Sequence, residues 1–269
     1  MGATIGALLA ASGLPAIEAQ ALAAHGLGLS RATLLAQTER ATAPDDARRV
    51  ERLFLRRRAG EPVAYLIGER EFYGLSLKIT PDVLIPRPET ELLVDLALEL
   101  VPEGARVLDL GTGSGAVAVA IAHEAQSAEV WAADASAAAL AVARENARRH
   151  DTHVHLVESD WLCALGGERF DLIVSNPPYV AAGDAHLERG DLRYEPRAAL
   201  VGGADGLDCI RRIVAEAKSH LVPGGWLLLE HGYDQAERLR SLFGMYGYID
   251  VQTTPDLAEI PRVTGGRAP

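Results

Sequence analysis

The back two thirds of the chain alternate short apolar runs with helical stretches, and that alternation leaves few folds open. "ARVLDLGTGSG", "AEVWAADAS", "HVHLVESDW", "RFDLIVSNPPY" and "GGWLLLEHG" read as strands. Helical stretches at Ala116–Ala125, Ala137–Arg149 and Leu207–His220 lie among them. Strands separated by helices build βαβ units, and therefore an α/β fold on a mostly parallel sheet. Hydrophobic residues make up 48% of the chain but aromatics only 5%, so the core must be mostly Ala, Leu and Val.

The front of the chain follows a different period. From Thr4 to about Gly60 apolar residues recur at helical spacing, among them Leu8, Leu9, Ile17, Leu22, Leu34 and Leu35. Ser30 is placed to cap one helix and Pro44 to open another. That last helix, "DDARRVERLFLRRRAG", carries arginines from Arg48 to Arg58. A solvated face is the plainer reading, and a docking patch for an acidic partner the sharper one. "GEREFYGLSLKIT" then turns extended, with a hairpin expected around Gly74. These changes of period divide the chain into a helical unit over 1–70, a hairpin linker over 71–86 and an α/β domain over 87–269.

A net charge of −11 and a pI near 5.2 argue against a chain that coats nucleic acid by bulk electrostatics. No apolar run reaches the roughly 20 residues a bilayer span needs. The opening segment lacks the positive stretch of a secretory signal. Cys163 and Cys209 show no paired spacing, and we expect buried thiols in a reducing compartment. These features together describe a cytoplasmic protein without a membrane anchor.

Chemistry concentrates at the strand ends. In "VLDLGTGSGAVAVAIA" a strand, a glycine turn and a helix follow in the order a nucleotide-type ligand requires. Gly111, Gly113 and Gly115 allow a sharp turn and a close approach of backbone to ligand. The same loop, with Ala116, satisfies the relaxed dinucleotide fingerprint, so a nicotinamide enzyme is a rival reading. Asp134 closes the second strand, where a carboxylate accepts hydrogen bonds from a ribose diol under either reading. Asp109 would repel a pyrophosphate but suits a cationic group, or else caps backbone amides at its own strand end. Asp160 and Trp161 follow the third strand, placed to bond an adenine amine and cover its face. His153 and His155 share a face of one strand, but no set of partners completes a metal site there.

The fourth strand ends in Asn176-Pro177-Pro178-Tyr179. Two prolines stop both helix and ladder, because each fixes φ and lacks an N–H. The rigid corner offers two acceptors, the Asn176 side-chain oxygen and the Pro177 carbonyl, beside the flat ring of Tyr179. Such a corner can hold a planar amine or amide nitrogen in line with a methyl donor.

At these motifs the chain resembles the bacterial release-factor glutamine methyltransferases. The likeness runs through "GEREFYGLSLKIT", "LIPRPETE", "DLGTGSGA", "SDW", "SNPPYV", "GDLRYEPRAAL" and "LLLEHG", from about Ser30 to Arg267. It implies a class I, Rossmann-like methyltransferase domain behind a small helical substrate-docking domain. It further implies transfer of a methyl group from S-adenosyl-L-methionine to the side-chain amide nitrogen (N5) of the glutamine in the Gly-Gly-Gln motif of peptide-chain release factors. On this resemblance Gly111, Thr112, Gly113, Ser114, Gly115, Asp134, Asp160, Trp161 and Asn176 would contact the cofactor. Asn176, Pro177, Pro178 and Tyr179 would hold the glutamine, with Asn176, Pro177 and Tyr179 at the chemistry. The expected partner is the release factor alone, with no nucleic acid, metal or membrane, and the enzyme is expected to be a monomer.

"NPPY" is shared with adenine methylases, so an adenine-N6 nucleic-acid methyltransferase is the alternative, and a cofactor-binding adaptor without turnover is a third. The chain departs from the family at Pro261, where a polar residue is usual. The last strand is the element this departure touches.

Overall fold

The computed structural model describes residues 3–269. The chain divides into two compact units, one holding residues up to 69 together with 188–194, the other holding 70–187 and 195–269. A boundary drawn along the sequence at residue 70 could not show that a short segment from far downstream belongs with the helices.

The helical unit contains α1 (Ile5–Ala10), α2 (Ala16–Leu27), α3 (Arg31–Ala36), α4 (Pro44–Arg58) and α5 (Val63–Ile67). Ser30 caps α3, its hydroxyl accepting from the Thr33 N–H at 3.1 Å. Pro44 opens α4, where its missing N–H is one that no helical carbonyl would have received. Leu22, Leu34, Val50 and Phe54 meet in this unit's own core. Arg57 is held between Glu18, at 2.7 Å, and Asp191, at 2.8 Å. Arg193 and Tyr194 both donate to the carbonyl of Ala59.

The second unit begins with a hairpin, β1 (Glu69–Phe72) and β2 (Leu75–Lys78). Tyr73 and Gly74 both have positive φ, +52° and +73°, as a two-residue turn matching the strand twist requires. Then come α6 (Glu91–Leu100), β3 (Arg106–Leu110), α7 (Ala116–Glu124), β4 (Glu129–Asp134), α8 (Ala137–Arg149), β5 (Val154–Glu158) and β6 (Phe170–Ser175). The chain closes with α9 (Asp208–Ala217), β7 (Leu221–Glu230), α10 (Ala236–Met245), β8 (Ile249–Pro255) and β9 (Pro261–Arg267).

Seven strands form one sheet in the order β5-β4-β3-β6-β7-β9-β8. The first five in that order are parallel, while β9 runs antiparallel to both β7 and β8. The inner parallel strands are covered on both faces, which is why "VLDL" and "LIVS" are nearly unbroken apolar runs. Leu108, Leu110, Phe170, Ile173, Leu227 and Phe243 belong to the core beneath them. Pro261 does not disturb β9, because it is that strand's first residue and owes the ladder no N–H. Gly265 and Gly266 are a packing requirement of the same strand. A Cβ on the first would come within 2.4 Å of Leu228 and on the second within 2.6 Å of Phe243.

The order reverses at β3, which sends the chain to β4 on one side and is flanked by β6 on the other. Ligands of open α/β sheets bind beyond the carboxyl ends of strands at such a switch point.

Candidate active site

A cavity of about 380 Å³ opens at that switch point. Its lining comes from several strand ends: Gly111 and Gly113 after β3, Asp134 at the end of β4, Asp160 and Trp161 after β5, and Asn176 and Pro178 after β6. Residues far apart in sequence are brought to one edge by the parallel register.

The glycine turn is tied down from three sides. Gly111, Gly113 and Gly115 have φ of +71°, +56° and +80°. A Cβ on Gly115 would press to 3.0 Å on Ala143, whereas one on Gly113 would meet nothing within 4 Å. Gly115 therefore serves packing of the turn on α8, and Gly113 leaves room for a ligand. The fully buried Asn146 of α8 donates to the carbonyl of Ser114 at 2.8 Å and to that of Lys78 at 3.0 Å. Ser175 closes the third side, its hydroxyl donating to the Leu110 carbonyl at 2.6 Å. That bond couples the glycine turn to the strand leading into the Asn-Pro-Pro-Tyr corner.

Asp134 accepts from the Gly113 N–H and from the Ser136 N–H, both at 2.8 Å, one on each carboxylate oxygen. Each oxygen keeps a further lone pair, so the carboxylate faces the cavity already oriented to receive hydroxyl donors. Asp109 behaves differently. It is 2% exposed, accepts from the Thr112 hydroxyl at 2.6 Å and stays behind the cavity wall. Burial pushes its carboxyl up to about 7, against the hydrogen bonds from Thr112 and the Ala118 N–H, with Asp134 adding to the rise. Its place is inside the glycine turn, behind the residues that line the cavity. Thr112 and Ser114 are likewise buried polar residues of the turn.

Trp161 has φ of +54°, and its ring edge lies 3.4 Å from where a Gly111 Cβ would stand. The neighbouring Asp160 is clamped by Arg212 of α9, whose guanidinium reaches both carboxylate oxygens at 2.8 Å. Arg212 also donates to the Sγ of Cys163 at 3.1 Å. The expectation of buried thiols is corrected here: Cys163 is exposed and Cys209 half-buried. Cys163 lies within the short turn after β5 and not under the sheet. His153 and His155 meet edge-on at 4.7 Å, and His155 stacks on Trp131 at 4.9 Å. No cluster with metal-binding composition occurs among the described residues.

At the corner, Pro177 is buried and fixes the turn, while Asn176 and Pro178 border the cavity. The Asn176 Nδ2 donates to the Thr90 hydroxyl at 3.1 Å. The amide oxygen is the end left to accept from a ligand. The Tyr179 hydroxyl donates to Glu230 at 3.2 Å, and burial raises its pKa strongly. Its polar end is thus turned inward, away from any role as a donor to substrate. Gly202 and Gly206 press on the same corner, since a Cβ on either would come within 2.3 Å of the Pro178 or Tyr179 carbonyl.

Thr90, Asn146, Gly202, Gly206 and Glu230 were not identified from sequence. Thr90 and Glu230 lie inside the quoted "LIPRPETE" and "LLLEHG", yet nothing in the local spacing shows a role for them, and the recorded hydrogen-bond partners of these residues lie 29 to 86 residues away.

Comparisons with known proteins identify the family. Residues 88–190 fit the model of the methyltransferase small domain, and residues 4–68 fit that of the PrmC N-terminal domain. The release factor glutamine methyltransferase of Burkholderia pseudomallei is 52% identical over 99% of this chain and 97% of its own length. The chain belongs to the release factor glutamine methyltransferases. The enzyme of that name from Escherichia coli is 44% identical over 96% of this chain and 94% of its own. A Thermus thermophilus 16S rRNA N2 G1207 methyltransferase, solved with AdoMet and guanosine, superposes with a TM-score of 0.57 and 25% identity, over 75% of this chain and 50% of that one. Membership in this family makes S-adenosylmethionine the cofactor. The cavity suits it: an oriented carboxylate, a ring wall at Trp161 and an open backbone turn at Gly113 surround a single space.

Proposed function

We infer that this enzyme methylates the side-chain amide nitrogen of the glutamine in the Gly-Gly-Gln motif of peptide-chain release factors. The observation that carries the reading is the shared cavity, in which the Asn176 corner and the glycine turn face each other, with Asn176 held so that its oxygen is available. Bound there, S-adenosylmethionine supplies a methyl group made electrophilic by its sulfonium. Asp134 would receive the ribose hydroxyls, Trp161 and Asp160 would border the adenine, and the turn from Gly111 to Gly115 would hold the rest of the cofactor. Asn176 Oδ1 and the Pro177 carbonyl accept the two N–H bonds of the substrate amide, and Tyr179 backs its plane.

An amide nitrogen is a poor nucleophile because its lone pair is delocalised into the carbonyl. Two acceptors on its N–H bonds would aim the nitrogen at the methyl group and favour the positive charge that builds on it as the bonding pair departs with the sulfonium sulfur. They would also hold the N–H proton that nitrogen then releases. Their rigidity supports this role, since the acceptors need no rearrangement during transfer. The helical unit supplies a surface for the release factor, and the enzyme works in the cytoplasm as a monomer on a protein alone. Mass spectrometry of a release factor incubated with enzyme and cofactor tests the reading: one methyl group on the Gly-Gly-Gln glutamine is expected. Methyl incorporation into adenine of DNA or RNA, with none into the protein, would sink it.

A further inference from the structure

Behind the corner stands a carboxyl group that the reaction above does not use. Glu230 is the last residue of β7, 1% exposed, with one hydrogen bond, from the Tyr179 hydroxyl. Burial pushes it up to about 7, opposed by the hydroxyls of Thr90 and Tyr179 and by Arg262, while Glu89 reinforces the rise. The Thr90 hydroxyl stands close enough to favour the ionised form, yet Oε2 has no well-aligned partner. A glutamine or a leucine at this position would avoid burying an ionisable group with one oxygen unsatisfied. Packing alone therefore gives no reason for a glutamate.

The Thr90 hydroxyl supplies the reason. It has one proton and two lone pairs, and one lone pair receives the Asn176 Nδ2 at 3.1 Å. Its own proton is then directed elsewhere, and the neighbouring carboxyl group is an acceptor for it. The Tyr179–Glu230 and Asn176–Thr90 hydrogen bonds both end on the Asn-Pro-Pro-Tyr corner, and between them lie the Thr90 proton and the unpartnered Glu230 Oε2.

We propose that Glu230 is a positioning residue of the methyl-transfer site, holding the Tyr179 ring by its hydroxyl and, through the Thr90 hydroxyl, holding Asn176 with Oδ1 toward the substrate. It does not touch the substrate. With the amide so turned, the corner accepts hydrogen bonds and selects a group that donates, such as the NH2 of a primary carboxamide. Turned over, Asn176 would present its own NH2 and repel that group. This inference rests on the reading of the corner given above.

Isosteric substitutions test it, with kcat, KM for release factor and cofactor affinity measured on each. Thr90→Val keeps the shape and removes the hydroxyl; it should lower kcat by about 10–10²-fold, the scale of a misplaced reacting group, and leave cofactor affinity within about twofold. Thr90→Ser restores the hydroxyl and should restore most of the rate. Glu230→Gln should lower kcat by about tenfold while the melting temperature is unchanged or higher, because an ionisable group leaves the core. A purely structural glutamate would instead lose stability and rate together. In the double variant with Asn176→Ala, Thr90→Val should add almost nothing, since its effect passes through Asn176. Parental kcat in Thr90→Val and Glu230→Gln beside a strongly impaired Asn176→Ala overturns the inference and leaves the site reading intact. Parental activity in Asn176→Ala itself overturns the site reading, and this inference with it.

Discussion

Asn176 carries a donor and an acceptor on one planar group, and the structure puts them to different uses. The donor is spent on Thr90, which leaves the amide oxygen uncommitted. Asn176→Ala should therefore lower kcat by about 10²–10³-fold, as removal of one preorganised polar group does, with little change in stability at a cavity-facing residue. Asn176→Asp keeps an acceptor but loses the donor to Thr90, so it should stay impaired while exceeding the alanine variant. Single-turnover rates on a release factor check both. Asp134 also has two duties, because its carboxylate holds the Gly113 and Ser136 N–H groups in addition to facing the cavity. Asp134→Ala should weaken S-adenosylmethionine binding by on the order of 1.5–3 kcal/mol per lost charged hydrogen bond. Calorimetry showing near-normal affinity in a folded variant would remove it from the ribose site.

At the scale of elements, α4 looks like a cationic face in sequence but is largely neutralised within its own unit. Arg48 pairs with Asp45, Arg49 with Asp46, Arg56 with Glu61, and Arg57 with Glu18 and Asp191. Arg58 donates to the Ser12 carbonyl at 2.6 Å. Reversing Arg56, Arg57 and Arg58 together would then mix a docking effect with a folding one. Two single reversals separate them. Arg57→Glu places a third negative charge beside Glu18 and Asp191 and should cost about 1–3 kcal/mol of stability, between the values for exposed and buried pairs. Arg52→Glu, at an exposed position of α4 near Leu55, should leave stability unchanged and raise KM for release factor in a salt-dependent way. Denaturation curves and kinetics at two salt concentrations decide between them. An unchanged KM for Arg52→Glu at low salt removes α4 from the docking surface.

At the scale of the whole molecule, buried titratable groups tie stability to pH. Asp109 and Glu230 are each pushed up to about 7 by burial, so the folded chain keeps their protons where the unfolded chain releases them. Their contribution is present at low pH and is lost as pH rises through about 7. His231 works in the opposite sense. It is fully buried, its Nδ1 lies 2.8 Å from the Gly232 carbonyl and its Nε2 2.9 Å from the Thr264 hydroxyl, and burial lowers its pKa. A neutral ring with Nδ1 donating and Nε2 accepting satisfies both contacts, and the stability it gives is lost as pH falls below about 6.5. Asp109→Asn removes one of the opposing groups while keeping an acceptor for Thr112. Its melting temperature, relative to the parent, should be higher at pH 8 than at pH 5. An equal difference at both pH values would show that Asp109 is ionised in the native state across that range.

The alternation of strands and helices, the glycine turn, the Asp134 strand end and the Asn-Pro-Pro-Tyr corner are local patterns, and each was legible because its chemistry lies within a few consecutive residues. Ser30 as a cap, Pro44 as a helix start and Gly74 in the hairpin turn were legible for the same reason: backbone geometry demanded those residue types there. Tertiary structure alone decided which way the Asn176 amide faces, because Thr90 lies 86 residues earlier in the chain. It also decided that Asp109 is buried inside the glycine turn, and that most arginines of α4 already have partners. Sequence specifies which groups a segment carries. Whether a polar group faces a ligand or is consumed by another part of the chain depends on contacts that exist only after the sheet has closed.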